Sequence, residues 1–417
     1  MDECHGLKEL ITILTFLYDE TFSVLGIDEP ELHLHPQFQR FLLDELRAVA
    51  GNPAIPGKKL IFLVTHSPIL LELRTLEDLA GVVVFSHSDL PVRAAPWGFS
   101  VEEQTKIQQA LPSFHAAQRE LLFSNAPVVM EGPSDVAVLM NVATKLALPL
   151  GAAGIGVTAM GGKYQLLAFR ALLGSLAKLN ARFVLDLDAA IDSKALHCLD
   201  SDARVVGHLA SKGMGDRTLT RLVGELVGLL RTYLSDAAAA GRAIDEALPR
   251  DNCQLGDRDL AFGLQGLREM AERQPTQLFD SDRARTILGK LDLIRSAARA
   301  SNVLILSRGP IEAYYEAPLS PRAGDFEKQQ ALQCELAAIW RAADTQILEA
   351  RILRDTSVSS RGWIPQTSHS GAGKGASGEL DSPPPDRDIH RSHPFPRRSP
   401  QMRARHSGWI LVCLRAD

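Results

Sequence analysis

The sequence lacks the features that mark secreted, disulfide-stabilised and membrane proteins. Its 417 residues include five cysteines, which lie far apart without a CxxC pair, so neither a zinc site nor a disulfide framework is indicated. The apolar runs at 59–64 and 81–85 are far shorter than the roughly 20 residues of a membrane-spanning helix. No basic segment followed by an apolar stretch and a small-residue cleavage site stands at the amino terminus. We therefore expect a cytoplasmic protein without a membrane segment.

Two further absences restrict the function. The formal net charge of −5 gives no global electrostatic case for nucleic-acid binding, although a local basic groove is compatible with it. The phosphate-binding pattern GxxxxGK followed by Ser or Thr occurs nowhere in the chain. The two near matches, at 161–163 and 371–374, both lack the hydroxyl residue that binds magnesium. The chain as given is therefore not expected to bind and hydrolyse ATP in the usual way.

What is present is an alternation of helical periodicity with short apolar runs, which predicts an α/β fold with parallel sheets. We expect two units, at 1–95 and 122–345, joined by a linker at 96–121. The second unit is predicted to be a smaller doubly wound sheet with a helical insertion at about 191–300. From about residue 356 onward Ser, Pro, Gly, Arg and His dominate, so 356–417 is predicted to be a disordered tail. The predicted strands are 24–27, 60–64, 127–130, 155–159, 182–187 and 302–306, and the predicted helices include 7–19, 36–49, about 164–179 and one opened by Ser134.

A first group of polar residues follows the strands of the first unit. The segment VLGIDEPELHLHP places Asp28 and Glu29 directly after a buried strand, and the next strand ends in Thr-His-Ser-Pro with His66. In a nucleotide site the first acid can hold magnesium through water, the second can orient the attacking water, and the histidine can sense a terminal phosphate. The alternative is a surface turn beside a core histidine. His33 and His35 have the spacing of metal ligands, but packing is the expected role.

A second group is formed by four acids of the second unit. APVVMEGPSDVAVL places Glu131 after a strand and Asp135 in the first turn of a helix, and FVLDLDAA supplies Asp186 and Asp188 as alternate residues of a strand end. Such a cluster would repel itself unless a divalent cation sits within it. Two magnesium ions can activate water and stabilise the leaving oxygen of a phosphodiester. Either motif alone is common at strand ends, and their joint occurrence favours a two-metal site.

Both groups resemble motifs of known families. The first is similar to the Walker B motif and switch histidine of ABC-type ATPases, while ECHGLKEL stands at the place of their signature motif and matches it only at Gly6 and Lys8. The EGxxD and DxD motifs resemble the Toprim domain, and the glycine pair 161–162 and SRGPIEAYY at 307–315 resemble the version in the OLD (overcoming lysogenisation defect) nucleases.

The resemblance implies a set of site residues. Glu131, Asp135, Asp186 and Asp188 would hold Mg²⁺ or Mn²⁺, and Glu312 would complete the second metal site. Where relatives carry a lysine near this last motif, Arg308 stands nearest here, and Lys163 is a second candidate. Asp28, Glu29 and His66 would form part of an incomplete ATP site.

The family also implies a function, namely a metal-dependent DNA endonuclease or nickase coupled to an ATPase whose Walker A half is missing, acting in phage defence or DNA repair. DNA would be the partner, with a homodimer through the ATPase domain and an associated helicase as further expectations. One alternative is a truncated, non-catalytic remnant or accessory subunit that keeps the fold for binding only. A topoisomerase-like strand transferase is disfavoured, because no separate domain with a nucleophilic tyrosine is evident.

Overall fold

The computed structural model of the protein describes residues 5–85, 91–176, 180–241, 255–315, 324–341 and 410–414. Helices and strands alternate along the chain and form two sheets. The helices are α1 (His5–Tyr18), α2 (Pro36–Val49), α3 (Leu76–Ala80), α4 (Val101–Ala110), α5 (Ala116–Arg119), α6 (Pro133–Lys145), α7 (Leu166–Ser175), α8 (Ser193–Leu196), α9 (Ala203–Ser211), α10 (Leu219–Ala239), α11 (Asp257–Arg273), α12 (Ser281–Ala300) and α13 (Asp325–Arg341). The strands are β1 (Val24–Asp28), β2 (Leu60–Thr65), β3 (Val82–Val84), β4 (Val92–Arg93), β5 (Val128–Met130), β6 (Val157–Ala159), β7 (Arg182–Leu185), β8 (Val303–Ile305) and β9 (Ile410–Leu414).

The first sheet has the strand order β1-β2-β9-β3-β4. β1 and β2 are parallel, with Asp28 opposite Val64, so the residues that follow both strands lie at one edge of the sheet. Helix α2 buries Leu42, Leu43 and Leu46 at helical spacing, which holds an amphipathic helix on the core. The predicted strands and helices of this unit are confirmed, with α1 beginning two residues earlier than expected.

Strand β9 differs from the predicted disordered tail. It pairs antiparallel with both β2 and β3, placing Val412 between Leu63 and Val82. The run Ile-Leu-Val-Cys-Leu is apolar and contains a β-branched residue pair, which suits a central strand with neighbours on both sides. The Ser-, Pro-, Gly- and Arg-rich composition of the preceding segment led to the prediction of disorder for this short apolar run as well. The remainder of the predicted tail, 356–409 and 415–417, lies outside the described residues.

The second sheet is parallel throughout, with the order β6-β5-β7-β8. The three residues of β5 are all buried, as expected for a central strand covered on both faces. Helix α6 begins at Pro133 with Gly132 before it, one residue earlier than the predicted opening at Ser134, because proline is favoured in the first helical turn. The α/β class is confirmed, with a parallel second sheet and a first sheet that combines the parallel β1–β2 pair with antiparallel pairs.

The segment predicted as a linker is folded. Helix α4 packs against α7, and Ile107, Leu111 and Phe114 are buried in the shared core. The ring of Phe114 lies 5.6 Å from that of Phe169. Apolar residues at helical spacing therefore join the two units into one packed interior.

The predicted insertion is helical in its described part, from α8 to α12. Its core is formed by α10 and α12, and Tyr233 of α10 is completely buried with its ring 5.8 Å from that of Phe279. Helix α11 packs against the 3-10 helix Leu187–Ile191 that follows β7. The insertion thus lies directly over the carboxyl edge of the second sheet. Within the described ranges, no helix combines the length and apolarity needed to cross a bilayer.

Candidate active site

The second sheet gathers acidic residues at its carboxyl edge because its strands are parallel and in register. Glu131 follows β5 directly, and its Oε2 accepts a hydrogen bond of 3.0 Å from the backbone N–H of Asp186, which follows β7. The carbonyl oxygen of Glu131 accepts from the N–H groups of Gly161 and Gly162. These glycines have φ values of 81° and 118°, which favour glycine. The glycine pair therefore shapes the backbone around Glu131.

Asp135 lies in the first turn of α6 and is 6% exposed. Its Oδ2 accepts from the N–H of Gly132 at 2.7 Å and caps the helix. Burial, together with repulsion from Glu131 and Glu312, raises the pKa of this carboxyl to about 7, against the opposing effect of the cap. Asp135 is therefore a buried acid that titrates near neutrality.

Asp186 and Asp188 differ from the predicted alternation along a strand. Strand β7 ends at Leu185, Asp186 precedes the 3-10 helix, and Asp188 lies in its first turn. The Oδ1 atoms of both side chains are buried and have no hydrogen-bond partner within the described part of the chain. Burial first, and then the neighbouring carboxylates, raise the pKa of Asp186 well above its usual range. The pKa of Glu131 is also raised, again mainly by burial.

Lys163 supplies a positive charge at this edge. It follows β6, and its Nζ donates to Asp188 Oδ2 at 2.6 Å and lies 3.4 Å from Asp192 Oδ2. Burial lowers the pKa of Lys163, but the attraction of Asp188 and Asp192 exceeds this effect, so the pKa is raised overall. Only 15% of the side chain is exposed. Sequence patterns named Lys163 only as a second candidate.

Glu312 and Arg308 follow β8 but have different surroundings. Glu312 lies in the 3-10 helix Ile311–Tyr314, its charge acts on Asp135 and Asp186, and its Oε1 is 3.9 Å from Lys328 Nζ. The Arg308 guanidinium lies 5.9 Å from the centre of the Tyr314 ring and does not line the cleft described below. Of the two basic candidates, Lys163 is the one placed beside the acids.

An open cleft of about 540 Å³ lies beside Asp186 and Asp188. One wall contains Asp186, Asp188 and Lys163, and the other is formed by α10 and α11 of the insertion. Gln265 of α11 packs so closely on Gly309 that a Cβ there would lie 2.7 Å from its Oε1. The insertion is therefore held against the loop that carries Glu312.

The donor set suits a divalent cation. Carboxylate oxygens are the ligands that magnesium prefers, and the unpartnered Oδ1 atoms of Asp186 and Asp188 are buried acceptors that lack a donor. No three His, Cys, Asp or Glu side chains of the described residues converge into a ready-made ligand group. Magnesium is commonly held by one or two carboxylates with water completing its shell. The acids therefore fit an ion bound partly through water.

The first sheet carries the other predicted group. Glu29 follows β1 with a φ of 46°, its N–H donates to Val64 at 2.8 Å, and its Oε1 lies 3.6 Å from Nε2 of His66. Asp28 is the last residue of β1, beside a shallow surface pocket. The predicted meeting of these three residues at one sheet edge is thus observed.

Glu31, which the sequence patterns did not single out, holds the histidine segment in place. Its Oε2 accepts from Thr65 Oγ1 at 2.8 Å and its Oε1 from the N–H of His66 at 2.6 Å. A glutamate after Asp-Glu-Pro in the sequence could have indicated this role only once the neighbouring strand was known.

Replacement of Glu31 by alanine is expected to lower the free energy of unfolding by about 2–3 kcal/mol, because two hydrogen bonds to a charged acceptor are lost near the buried Thr65. Urea denaturation would measure this change in the free energy of unfolding. The exposed Glu20→Ala is the matched control, and an equally small effect in both variants would contradict the assignment.

His33 and His35 lie in the turn between β1 and α2. His35 is the N-cap of α2, where its Nδ1 accepts from the N–H of Gln37 at 3.3 Å. The carbonyl of His33 lies so close to Gly6 that a Cβ on Gly6 would be 2.2 Å from its oxygen. Both side chains are exposed, so the structure gives His35 a capping role rather than the expected packing role, and Gly6 is required by the contact with the His33 carbonyl.

Comparisons with known proteins cover parts of both units. Residues 5–72 match the family described as "AAA domain, putative AbiEii toxin, Type IV TA system". Residues 122–188 match the family described as "Overcoming lysogenization defect protein-like, TOPRIM domain". The OLD nuclease of Thermus scotoductus (strain ATCC 700910 / SA-01) is 27% identical over 171 residues, which cover 38% of this chain and 30% of that protein.

The two family matches contain the residues of the two sheet edges. The first includes Asp28, Glu29 and His66, and the second includes Glu131, Asp135 and the Asp186–Asp188 pair. Glu312 and Arg308 lie beyond the matched segments. Two segments of the chain are therefore similar to an AAA domain and to an OLD-like TOPRIM domain, which confirms the resemblance to the OLD nucleases indicated by its motifs.

Proposed function

We propose that this chain is a metal-dependent nuclease that hydrolyses phosphodiester bonds of DNA at the carboxyl edge of the second sheet. The observation that carries the proposal is the pair of buried, unpartnered Oδ1 atoms of Asp186 and Asp188 beside an open cleft. Acceptors without donors are costly in a protein interior. A cation offsets that cost and explains why the acids are gathered there.

We assign a separate chemical role to each residue of the site. When bound, Mg²⁺ or Mn²⁺ would activate water and neutralise charge on the phosphate. Asp186, Asp188 and Glu312 are the carboxylates that would hold the ions, and Glu131 is oriented by its hydrogen bond from the Asp186 backbone. Asp135, with its pKa near neutrality, is able to hold or release a proton beside them.

Lys163 is the residue suited to bind the scissile phosphate. An ammonium group within reach of Asp188 stands where a phosphate oxygen would need an electrostatic partner. Arg308 would have to leave its position over the Tyr314 ring to do the same. We therefore assign the phosphate contact to Lys163 in preference to Arg308.

A physical connection between the two sheet edges supports coupling of the nuclease to an ATPase. The buried Arg119 of α5 donates to the carbonyls of Pro68 and Leu71, which follow the switch histidine. The adjacent Gln118 donates to the carbonyl of Ala159 at the end of β6, two residues before the glycine pair. Helix α5 thus contacts both edges. The coupling to ATP, a homodimer through the ATPase segment, a helicase partner and a role in phage defence or DNA repair remain proposals from the family.

Incubation of the purified chain with supercoiled plasmid tests the nuclease proposal. Nicked circles are expected with Mg²⁺ or Mn²⁺, and chelation by EDTA should abolish them. Nicking that persists in EDTA would contradict the metal site. Retained DNA binding without any cleavage would instead favour the binding-only alternative.

A further inference from the structure

The cleft in front of the acids continues into a second cleft. The second has a volume of about 430 Å³ and is bounded by α4, with Glu102 and Lys106, and by α7 and α8. Both clefts are lined by Tyr164, Ser193 and Lys194. These three residues therefore form a ridge between the catalytic cleft and the surface of α4.

Tyr164 presents a fixed aromatic face on this ridge. The side chain is 57% exposed, yet its hydroxyl donates to Asp192 Oδ2 at 2.7 Å. Asp192 is itself fixed, because its Oδ1 accepts from the N–H groups of Lys194 and Ala195 at the start of α8. By contrast, Tyr314 and Tyr315 are 6% and 5% exposed and serve packing. Tyr164 is thus held with its ring available to a ligand.

The two clefts carry basic side chains beside the acids Asp186, Asp188, Asp192 and Asp257. Lys194 and Arg258 line the clefts without an ion pair to any described residue, and Lys106 lies on α4. The acid Glu102 is paired with Nε2 of His197 at 2.8 Å. Nδ1 of His197 contacts the carbonyl of Lys194 at 2.8 Å. Glu102 is therefore engaged by a contact within the protein.

We propose that the two clefts form one track for an unpaired DNA strand, in which Tyr164 stacks on a base and Lys194 and Lys106 contact the backbone beside the cleavage site. Basic grooves with interposed aromatic rings are the usual means of binding single strands. A base within a duplex is stacked on both faces and cannot meet the Tyr164 ring, so the strand must be unpaired there. The proposal rests on the proposed nuclease function and specifies the structure of its substrate.

Binding without cleavage tests the track. Fluorescence anisotropy in EDTA would compare a labelled single-stranded deoxyoligonucleotide with the same sequence as a duplex. Tyr164→Ala is expected to weaken single-strand binding roughly tenfold, as loss of one stacked base does, and to change duplex binding less than about twofold. Tyr164→Phe keeps the ring and should bind like the parent. Trp97→Ala, which removes another exposed aromatic ring, is the matched control.

The backbone contact has a separate readout. Lys194→Gln should reduce the slope of log Kd against log salt concentration by about 0.7, as loss of one phosphate contact to a single strand does. The exposed Lys212→Gln should leave the slope unchanged. The proposed track would be contradicted if Tyr164→Ala bound single strands as the parent does, or if Trp97→Ala weakened binding equally. It would also be contradicted if Tyr164→Ala weakened duplex binding equally, or if the parent did not bind single strands.

The plasmid assay separates this proposal from the nuclease proposal. If the parent nicks plasmid while Tyr164→Ala binds single strands normally, the nuclease proposal stands and the proposed track is contradicted. If the parent binds single strands through Tyr164 but never cleaves plasmid, the proposed track stands and the nuclease proposal is contradicted.

Discussion

Replacement of Asp186 by asparagine is expected to reduce metal-dependent nicking of plasmid DNA by roughly two to three orders of magnitude, the loss typical of removing one electrostatic contact to the reacting group. The substitution preserves the size of the side chain. It removes the charge that the buried Oδ1 would offer to a cation. It also relieves repulsion from Glu131 and Asp135, so folding should not suffer.

The matched control for Asp186→Asn is Asp282→Asn. Asp282 is 85% exposed in the first turn of α12 and pairs with Arg285, so its loss should leave cleavage unchanged. A second readout does not depend on activity: Mg²⁺ should raise the melting temperature of the parent and of Asp282→Asn but not of Asp186→Asn. Comparable nicking by all three proteins would show that Asp186 is not part of the active site.

The free energy of unfolding of the metal-free protein is expected to fall as the pH rises from about 4 to about 7. Burial and repulsion raise the pKa of Asp135 to about 7 in the folded state, whereas the unfolded chain has the ordinary value of about 3.9. The folded state therefore binds this proton more tightly, so the stabilisation is complete below the unfolded pKa and is lost as pH rises through the folded one. For Asp135 alone, the difference amounts to about 4 kcal/mol.

Urea unfolding in EDTA at about pH 5 and about pH 8 would measure this change. Asp135→Asn keeps an acceptor for the Gly132 N–H and should reduce the slope of the profile, to which Asp186 and Glu131, whose pKa values are also raised, still contribute. The control Asp259→Asn removes a carboxylate that caps Gly256 in the same way, at 3.0 Å, but in an exposed setting; its profile should follow that of the parent. Stability that rises between these two pH values in the parent, or an equal slope in Asp135→Asn, would contradict the burial of this acid. Added Mg²⁺ should restore stability at the higher pH, because the ion compensates the carboxylates.

The acids of both sheet edges were accessible from the sequence because they adjoin short apolar runs. A strand followed at once by Glu131 or by Asp28 places the carboxylate at a sheet edge whatever the remaining chain does. The local geometry of Asp188 was not accessible in the same way. Strand β7 ends at Leu185, two residues before the predicted end, and the chain continues as a 3-10 helix. A difference of two residues in strand length leaves little trace in hydrophobic periodicity.

The basic and aromatic residues of the site depended on tertiary structure. Lys163 and Tyr164 follow a glycine pair that resembles any turn, and only the packing of α8 and α11 places them on a cleft wall. The roles of Glu31 and Arg119 likewise arise from contacts across 34 to 51 positions of the chain. Strand β9 pairs with strands more than 300 positions earlier, a pairing that no local pattern encodes.

Helix α5 has a thermodynamic consequence for the proposed coupling. Arg119 is buried among carbonyl acceptors of the first unit while Gln118 contacts the second, so a displacement on one side changes the contacts available on the other. If a nucleotide bound at the first sheet edge changes the affinity for DNA at the second, bound DNA must change the affinity for the nucleotide by the same factor. DNA would then act as an effector of the ATPase segment as much as its target.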